Sequence, residues 1–104
     1  MVEITYRFRG DVKKIYVKCE HYNLTGSIKD RMALYILQQA YCDDKISDDA
    51  ILVEATSGNT GIALAMAAAI KGYKMILIMP NHMSQERKDA MSAYGATLIE
   101  VSQQ

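Results

Sequence analysis

Ala55-Thr56-Ser57-Gly58-Asn59-Thr60-Gly61 follows the apolar run Ile51-Leu52-Val53 and leads into a nearly all-apolar run, Ile62 to Ile70. A small-residue turn between a buried strand and a helix start leaves backbone N–H groups unpaired and pointing outward. Together with the helix dipole, those groups favour a bound anion. Thr56, Ser57, Asn59 and Thr60 add hydroxyl and amide donors at the same spot. A second short stretch, Thr25-Gly26-Ser27-Ile28-Lys29, carries a lysine in what reads as the first turn of a helix. A cation is misplaced there, because the dipole favours cations at the opposite end. Positive potential and desolvation both favour a neutral amine, the form that attacks carbonyl carbon. Taken alone, Lys29 also fits a solvated surface lysine.

Other chemistries find less support. Neither glycine-containing turn matches the GxxxxGK[ST] phosphate loop, and no GxGxxG follows a strand. Cys19 and Cys42 lack CxxC spacing, and no His, Cys and carboxylate cluster has metal-ligand spacing. The two cysteines read as reduced, partly buried thiols. His21 and His82 fall in expected loops and read as solvated or hydrogen-bonding side chains. The seven methionines fall mostly on apolar faces and read as core filler.

The chain has 104 residues, zero formal net charge and an apolar half, which is enough for one small domain with one core. No basic excess suggests nucleic acid. The run Ile62–Ile70 is too short and alanine-rich to span a bilayer. Met1 to Arg7 lacks an apolar core behind a basic start, so the expectation is no signal peptide and a cytoplasmic protein.

The elements that must position the two turns read as follows. Val2–Tyr6 is a short edge strand or an extended lead-in, Arg7–Asp11 a turn, and Lys14–Cys19 a β-branched and aromatic strand. After a loop over His21–Gly26, Ser27–Cys42 shows helical spacing, with Ile28, Met32, Tyr35 and Ile36 on one face. Ser27 and Asp30 resemble a capping box. A charged connection, Asp43–Asp49, leads to a strand over Ile51–Glu54. The helix Asn59–Lys71 is apolar all round and therefore buried, and Gly72 suits its left-handed end. Lys74–Met79 is a continuous apolar strand, as in a parallel sheet covered on both faces. Ser84 caps a last helix that Gly95 stops, and Thr97–Val101 is a final strand. The order β-α-β-α-β-α-β predicts a three-layer, open parallel α/β sheet with right-handed crossovers. Ligands bind beyond the carboxyl ends of such strands. Both turns are expected there, side by side.

Two longer motifs make the reading specific. Asn23-Leu24-Thr25-Gly26-Ser27-Ile28-Lys29-Asp30-Arg31 resembles the lysine motif of the cysteine synthase and cystathionine β-synthase family, usually written N-P-T-G-S-x-K-D-R. Glu54 to Gly61 resembles the family's second motif, with Lys29 and Asn59 thirty residues apart as in the family. Met79-Pro80, Met83-Ser84-x-Glu86-Arg87 and Tyr94-Gly95-Ala96 resemble it too, so the likeness runs from about residue 15 to 101.

The resemblance implies a partial fold of the tryptophan-synthase-β-like (fold type II) enzymes, with pyridoxal 5'-phosphate as cofactor. It implies that Lys29 bonds covalently to the cofactor and serves as acid and base, and that Asn59 hydrogen-bonds the cofactor's 3′ oxygen. Thr56, Ser57, Asn59 and Thr60 are implied to grip the substrate's α-carboxylate, in keeping with an anion-binding turn. The implied reaction is β-replacement, in which O-acetylserine loses acetate and gains sulfide to give cysteine. Cystathionine β-synthase and serine or threonine dehydratase types are related alternatives, and a non-catalytic α/β module is the alternative outside the enzymes. The implied partners are an amino-acid substrate, a second copy in a homodimer, and serine acetyltransferase.

Leu24 stands where the family usually has proline. Members are much longer, so residues 1–104 are expected to be a partial N-terminal domain, including the small segment that moves over substrate. The isolated chain is expected to be inactive, because the loop that cradles the cofactor phosphate lies in the family's remaining length.

Overall fold

The computed structural model describes residues 1–102. Val2–Phe8 (β1) and Asp11–Val17 (β2) pair antiparallel, Val2 opposite Val17 and Ile4 opposite Ile15. They are joined through Arg9 and Gly10, both at positive φ (50° and 85°), as a two-residue hairpin turn matched to the twist of its strands requires. A short 3₁₀ turn, Glu20–Tyr22, leads toward the helix Lys29–Cys42 (α1). Then come Ile51–Ala55 (β3), Asn59–Lys71 (α2), Lys74–Pro80 (β4), Gln85–Ala93 (α3) and Thr97–Val101 (β5). β3, β4 and β5 form a parallel sheet in that order, with Leu52 beside Met75 and Leu77 beside Leu98.

The α/β class and the parallel sheet hold, but the first strand lies elsewhere than expected. β2 does not join the parallel sheet; it pairs only with β1, in a separate two-stranded sheet. The reason is legible in its alternation. Ile15 and Val17 share a face with Val2 and Ile4, while Lys14 and Tyr16 face the other way. Half-polar strands suit an antiparallel hairpin, whereas doubly covered parallel strands are apolar throughout. The observed order is therefore β-β-α-β-α-β-α-β. Among the described residues the hairpin packs against no other helix or strand, and with the hairpin included the structure measures 57 Å along its longest axis.

The layering differs too. Consecutive strands that are also neighbours, joined by right-handed crossovers, put both connecting helices on one face. Ala65 and Ala68 of α2 and Met91 of α3 close over Met75, Leu77 and Met79 of β4, with Leu52 and Leu98 beside them. α1 packs on α2 rather than on the sheet, through Ala33 and Leu37 against Ala63 and Ala67. Alanine on both helices lets them approach closely. The opposite face of the sheet carries Ile51, Val53, Ile99 and Val101, all exposed. Gly72 ends α2 in the left-handed conformation (φ 80°), and its N–H reaches back to the Ala69 carbonyl. Among the described residues no helix is long and apolar enough to cross a membrane.

This one-sided core makes a contrast that can be measured. Leu77→Ala should cost about 2–5 kcal/mol, because its side chain is fully buried. Ile99→Ala, at 46% exposure on the open face, should cost about 1 kcal/mol or less. Urea denaturation of both variants checks this, and equal losses would mean that the outer face is covered in solution.

Candidate active site

The turn between β3 and α2 is built by close contact. The Thr56 N–H donates to the Ile78 carbonyl at 2.9 Å, so the chain leaves the sheet only after Thr56. It then folds back so tightly that a Cβ on Gly61 would lie 2.3 Å from the Thr56 methyl and 2.9 Å from the Met91 methyl. Glycine is required there by space, not by φ. Gly58 caps α2, no side chain bonds the free N–H groups of its first turn, and that turn holds no acidic residue. The helix start is left electropositive and open, which is the arrangement that takes an anion.

The residues singled out in the sequence divide between two hollows. Thr56 and Ser57 line a shallow depression at the carboxyl ends of the strands, with Ile78, Pro80 and Val101. Asn59 lines a larger cavity of about 650 Å³ with Thr25, Ser84, Arg87 and Tyr94. Thr60 is half-buried in the first turn of α2. The cavity thus brings the lysine-bearing loop, at Thr25, to the start of α2, at Asn59. Lys29 is the first residue of α1 and is exposed, and it does not line that cavity. The expected adjacency of the turns survives, although the loop before Lys29 does not follow a strand of the parallel sheet.

That loop is held by two polar clusters. Asp30 is 3% exposed, and its carboxylate accepts from the Thr25 N–H at 2.7 Å and from the Thr25 hydroxyl. The expected capping box is therefore replaced. Asp30 reaches back five residues to Thr25, and the Ser27 hydroxyl accepts from the Lys29 N–H at 3.0 Å. Aspartate is too short to return to its own helix cap, but long enough to cross the turn at Gly26, which sits at φ 80°. The second cluster is Glu20, Asn23 and Arg31. The Asn23 amide donates to Glu20 at 2.6 Å and to the Ser27 carbonyl at 2.9 Å, and Arg31 donates to Glu20 at 2.9 Å. The Asn23 hydrogen bond, helped by Arg31 and partly opposed by burial, holds the Glu20 carboxyl below the usual carboxylate range.

On the other side of the cavity, Ser84 caps α3 by accepting from the Arg87 N–H at 3.4 Å. The Arg87 guanidinium donates to the Ser57 carbonyl at 3.1 Å. Sequence reasoning gave Asp30 a cap role and named Arg87 within a stretch resembling the family. The contacts each makes are the part it missed. A carboxylate one residue after Lys29 was the only local signal for the first, and none existed for the second.

The family model described as pyridoxal-phosphate dependent enzyme matches residues 5–104. Cysteine synthase B of Pseudomonas syringae pv. syringae is 60% identical over 88 residues, covering 85% of this chain and 52% of that protein. Cysteine synthase B of Pseudomonas aeruginosa is 60% identical over 90 residues, covering 86% of this chain and 30% of that protein. A solved hydrogen sulfide-producing enzyme from Fusobacterium nucleatum superposes with a TM-score of 0.88 at 50% identity, covering 99% of this chain and 31% of its own. This chain thus spans 30–52% of the length of such relatives.

Three outcomes test the site. Asp30→Ala leaves the Thr25 donors without their acceptor and should cost about 1–3 kcal/mol in urea denaturation. Gly61→Ala should cost about 1–3 kcal/mol by overpacking, and the loss should shrink in a Thr56→Ser background that removes the clashing methyl. The Glu20 cluster sets a pH dependence. A carboxyl lowered in the folded state stabilises above its unfolded pKa and loses that contribution as pH falls through the folded value. Amides of residues 23–30 should therefore loosen below the ordinary glutamate range before the core does, as NMR hydrogen exchange would show, and Glu20→Gln should abolish that early step.

Proposed function

The chain belongs to the pyridoxal-phosphate-dependent enzyme family, and from that premise we propose that it is the N-terminal part of a cysteine synthase-type enzyme. The reaction is β-replacement on O-acetylserine: the Cβ–O bond to acetate breaks and a C–S bond to sulfide forms, giving cysteine. The observation that carries this is the open, uncapped start of α2, next to the hydroxyl and amide donors of Thr56, Ser57, Asn59 and Thr60. In a chain 60% identical to cysteine synthase B, that turn is assigned the substrate α-carboxylate.

The residues present fit part of the cofactor. Lys29 offers an exposed primary amine at the start of α1, suited to the cofactor's aldehyde carbon. Asn59, on the wall of the cavity shared with Thr25, offers an amide to the 3′ oxygen. When bound, pyridoxal phosphate supplies an electron sink for charge developing on the amino acid's α-carbon. Lys29 then takes the proton from Cα and returns one at the end of the reaction. The donors around the start of α2 hold the carboxylate and so fix which substrate bond faces Lys29.

Residues 1–104 act within a larger protein and are inactive alone. Supporting this, one face of the sheet is apolar and exposed, and so is most of one face of the hairpin (Val2, Ile4, Tyr6, Phe8, Ile15 and Val17), with Lys13 and Asp11 toward its tip. Action in the cytoplasm, a homodimeric whole enzyme and serine acetyltransferase as partner belong to the same proposal, on the strength of the family likeness.

The test is covalent capture. The chain is mixed with pyridoxal phosphate and reduced with borohydride, and its peptides are weighed by mass spectrometry. The label should fall on Lys29 and be lost in Lys29→Ala, while O-acetylserine and sulfide give no cysteine. A label spread evenly over the surface lysines would overturn the assignment of Lys29.

A further inference from the structure

The backbone of the anion-binding turn is tied to α3, which already packs Met91 against Gly61. The Arg87 guanidinium, on the first exposed turns of α3, donates to the Ser57 carbonyl at 3.1 Å across thirty residues of sequence. It also lies over the next residue, since a Cβ on Gly58 would sit 3.8 Å from Arg87 Nη1. Gly58 is the cap of α2, and its carbonyl receives the N–H groups of Gly61 at 3.1 Å and Ile62 at 3.4 Å. Arg87 therefore holds the Ser57–Gly58 peptide, directly before the Gly58–Asn59 peptide whose carbonyl accepts the first hydrogen bonds of α2. Its own main chain is fixed by Ser84 at the start of α3. α3 is in turn clamped to the sheet edge by Lys88, which bonds the Asn81 carbonyl and Glu100, each at 3.0 Å. Among the described residues no carboxylate lies within ion-pair distance of Arg87, so its charge is spent on this carbonyl and on the cavity it lines with Asn59.

We propose that Arg87 is a positioning residue: by holding the Ser57–Gly58 peptide it fixes the shape of the carboxylate-binding turn and couples that shape to the position of α3. The functional half of the inference rests on the reading of the turn as a carboxylate site; the coupling itself does not. A guanidinium suits the task, because its planar fork bonds the carbonyl while its rigid shape keeps α3 at a set distance. The coupling runs both ways: whatever occupies the start of α2 shifts α3, and displacing α3 reshapes the turn.

The test uses the full chain, wild type, Arg87→Ala and Arg87→Lys, with hydrogen exchange followed amide by amide by NMR. Gly61 and Ile62, whose N–H groups bond the Gly58 carbonyl, should exchange roughly five- to tenfold faster in Arg87→Ala, the size expected for one ordinary hydrogen bond, since this one is exposed to solvent. Arg87→Lys should fall between the two, and Leu77 in the core should not change. Unchanged exchange at Gly61 and Ile62 would overturn the proposal. So would equal acceleration at Leu77, which would show a general loss of stability. L-Serine added to the wild type should then shift amides in the turn and in α3 together, and in Arg87→Ala the turn alone. Shifts in α3 that persist without Arg87 would overturn the coupling. If serine shifts no amide in the wild type, the carboxylate reading fails while the exchange result still decides the role of Arg87.

Discussion

The contact between Thr56 and Gly61 is the constraint on which the rest of the structure depends. The Thr56 N–H is committed to the last rungs of the sheet, and its methyl lies where a side chain on Gly61 would be. The strand can therefore turn into a helix within three residues, and α2 starts directly above the carboxyl edge of the sheet. Everything else is stacked on α2. Its alanines press on β4 on one side and receive Ala33 and Leu37 of α1 on the other. A helix with so little side-chain bulk can serve two neighbours at once, but only if its axis is fixed, and the tight start fixes it.

The same constraint produces the electrostatics. A helix capped by glycine, with no acid in its first turn, keeps its free N–H groups and the positive end of its dipole available. A serine or aspartate cap in place of Gly58 would have stabilised the helix by only about a few tenths of a kcal/mol, while taking up its free N–H groups. α3 shows the contrasting choice: Ser84 caps it, Glu86 sits in its first turn, and its start is satisfied from within. Two helix starts a short distance apart thus have opposite characters, one closed for stability and one open for a ligand.

The polar residues around the site hold backbone more than they hold each other. Asp30 bonds the Thr25 N–H, Asn23 the Ser27 carbonyl, Arg87 the Ser57 carbonyl. Such bonds set the path of the two loops that the small domain core cannot reach. The apolar residues of the hairpin and of the open sheet face are exposed, and this chain spans 30–52% of the length of the relatives described above.

The sequence by itself determined most of the elements and the family to which the chain belongs. The all-round apolar run after Gly61 could only be a buried helix, the continuous run Lys74–Met79 only a central strand, and Gly72 and Gly95 only helix ends. These signals are local, because period, cap and breaker act within a few residues. The lysine and asparagine motifs were legible for the same reason: each is a contiguous stretch whose chemistry is in its residue types. What tertiary structure alone decided was partnership across distance. β2 reads as a strand in either sheet, and its pairing with β1 was settled by a two-residue turn that makes the hairpin the nearest available closure. Both helices lie on one sheet face because neighbouring strands are joined in order with one handedness. Arg87 reached Ser57, thirty residues away, because packing set α3 against the start of α2. No spacing along the chain encodes contacts of that kind, since they depend on where three separate elements come to rest.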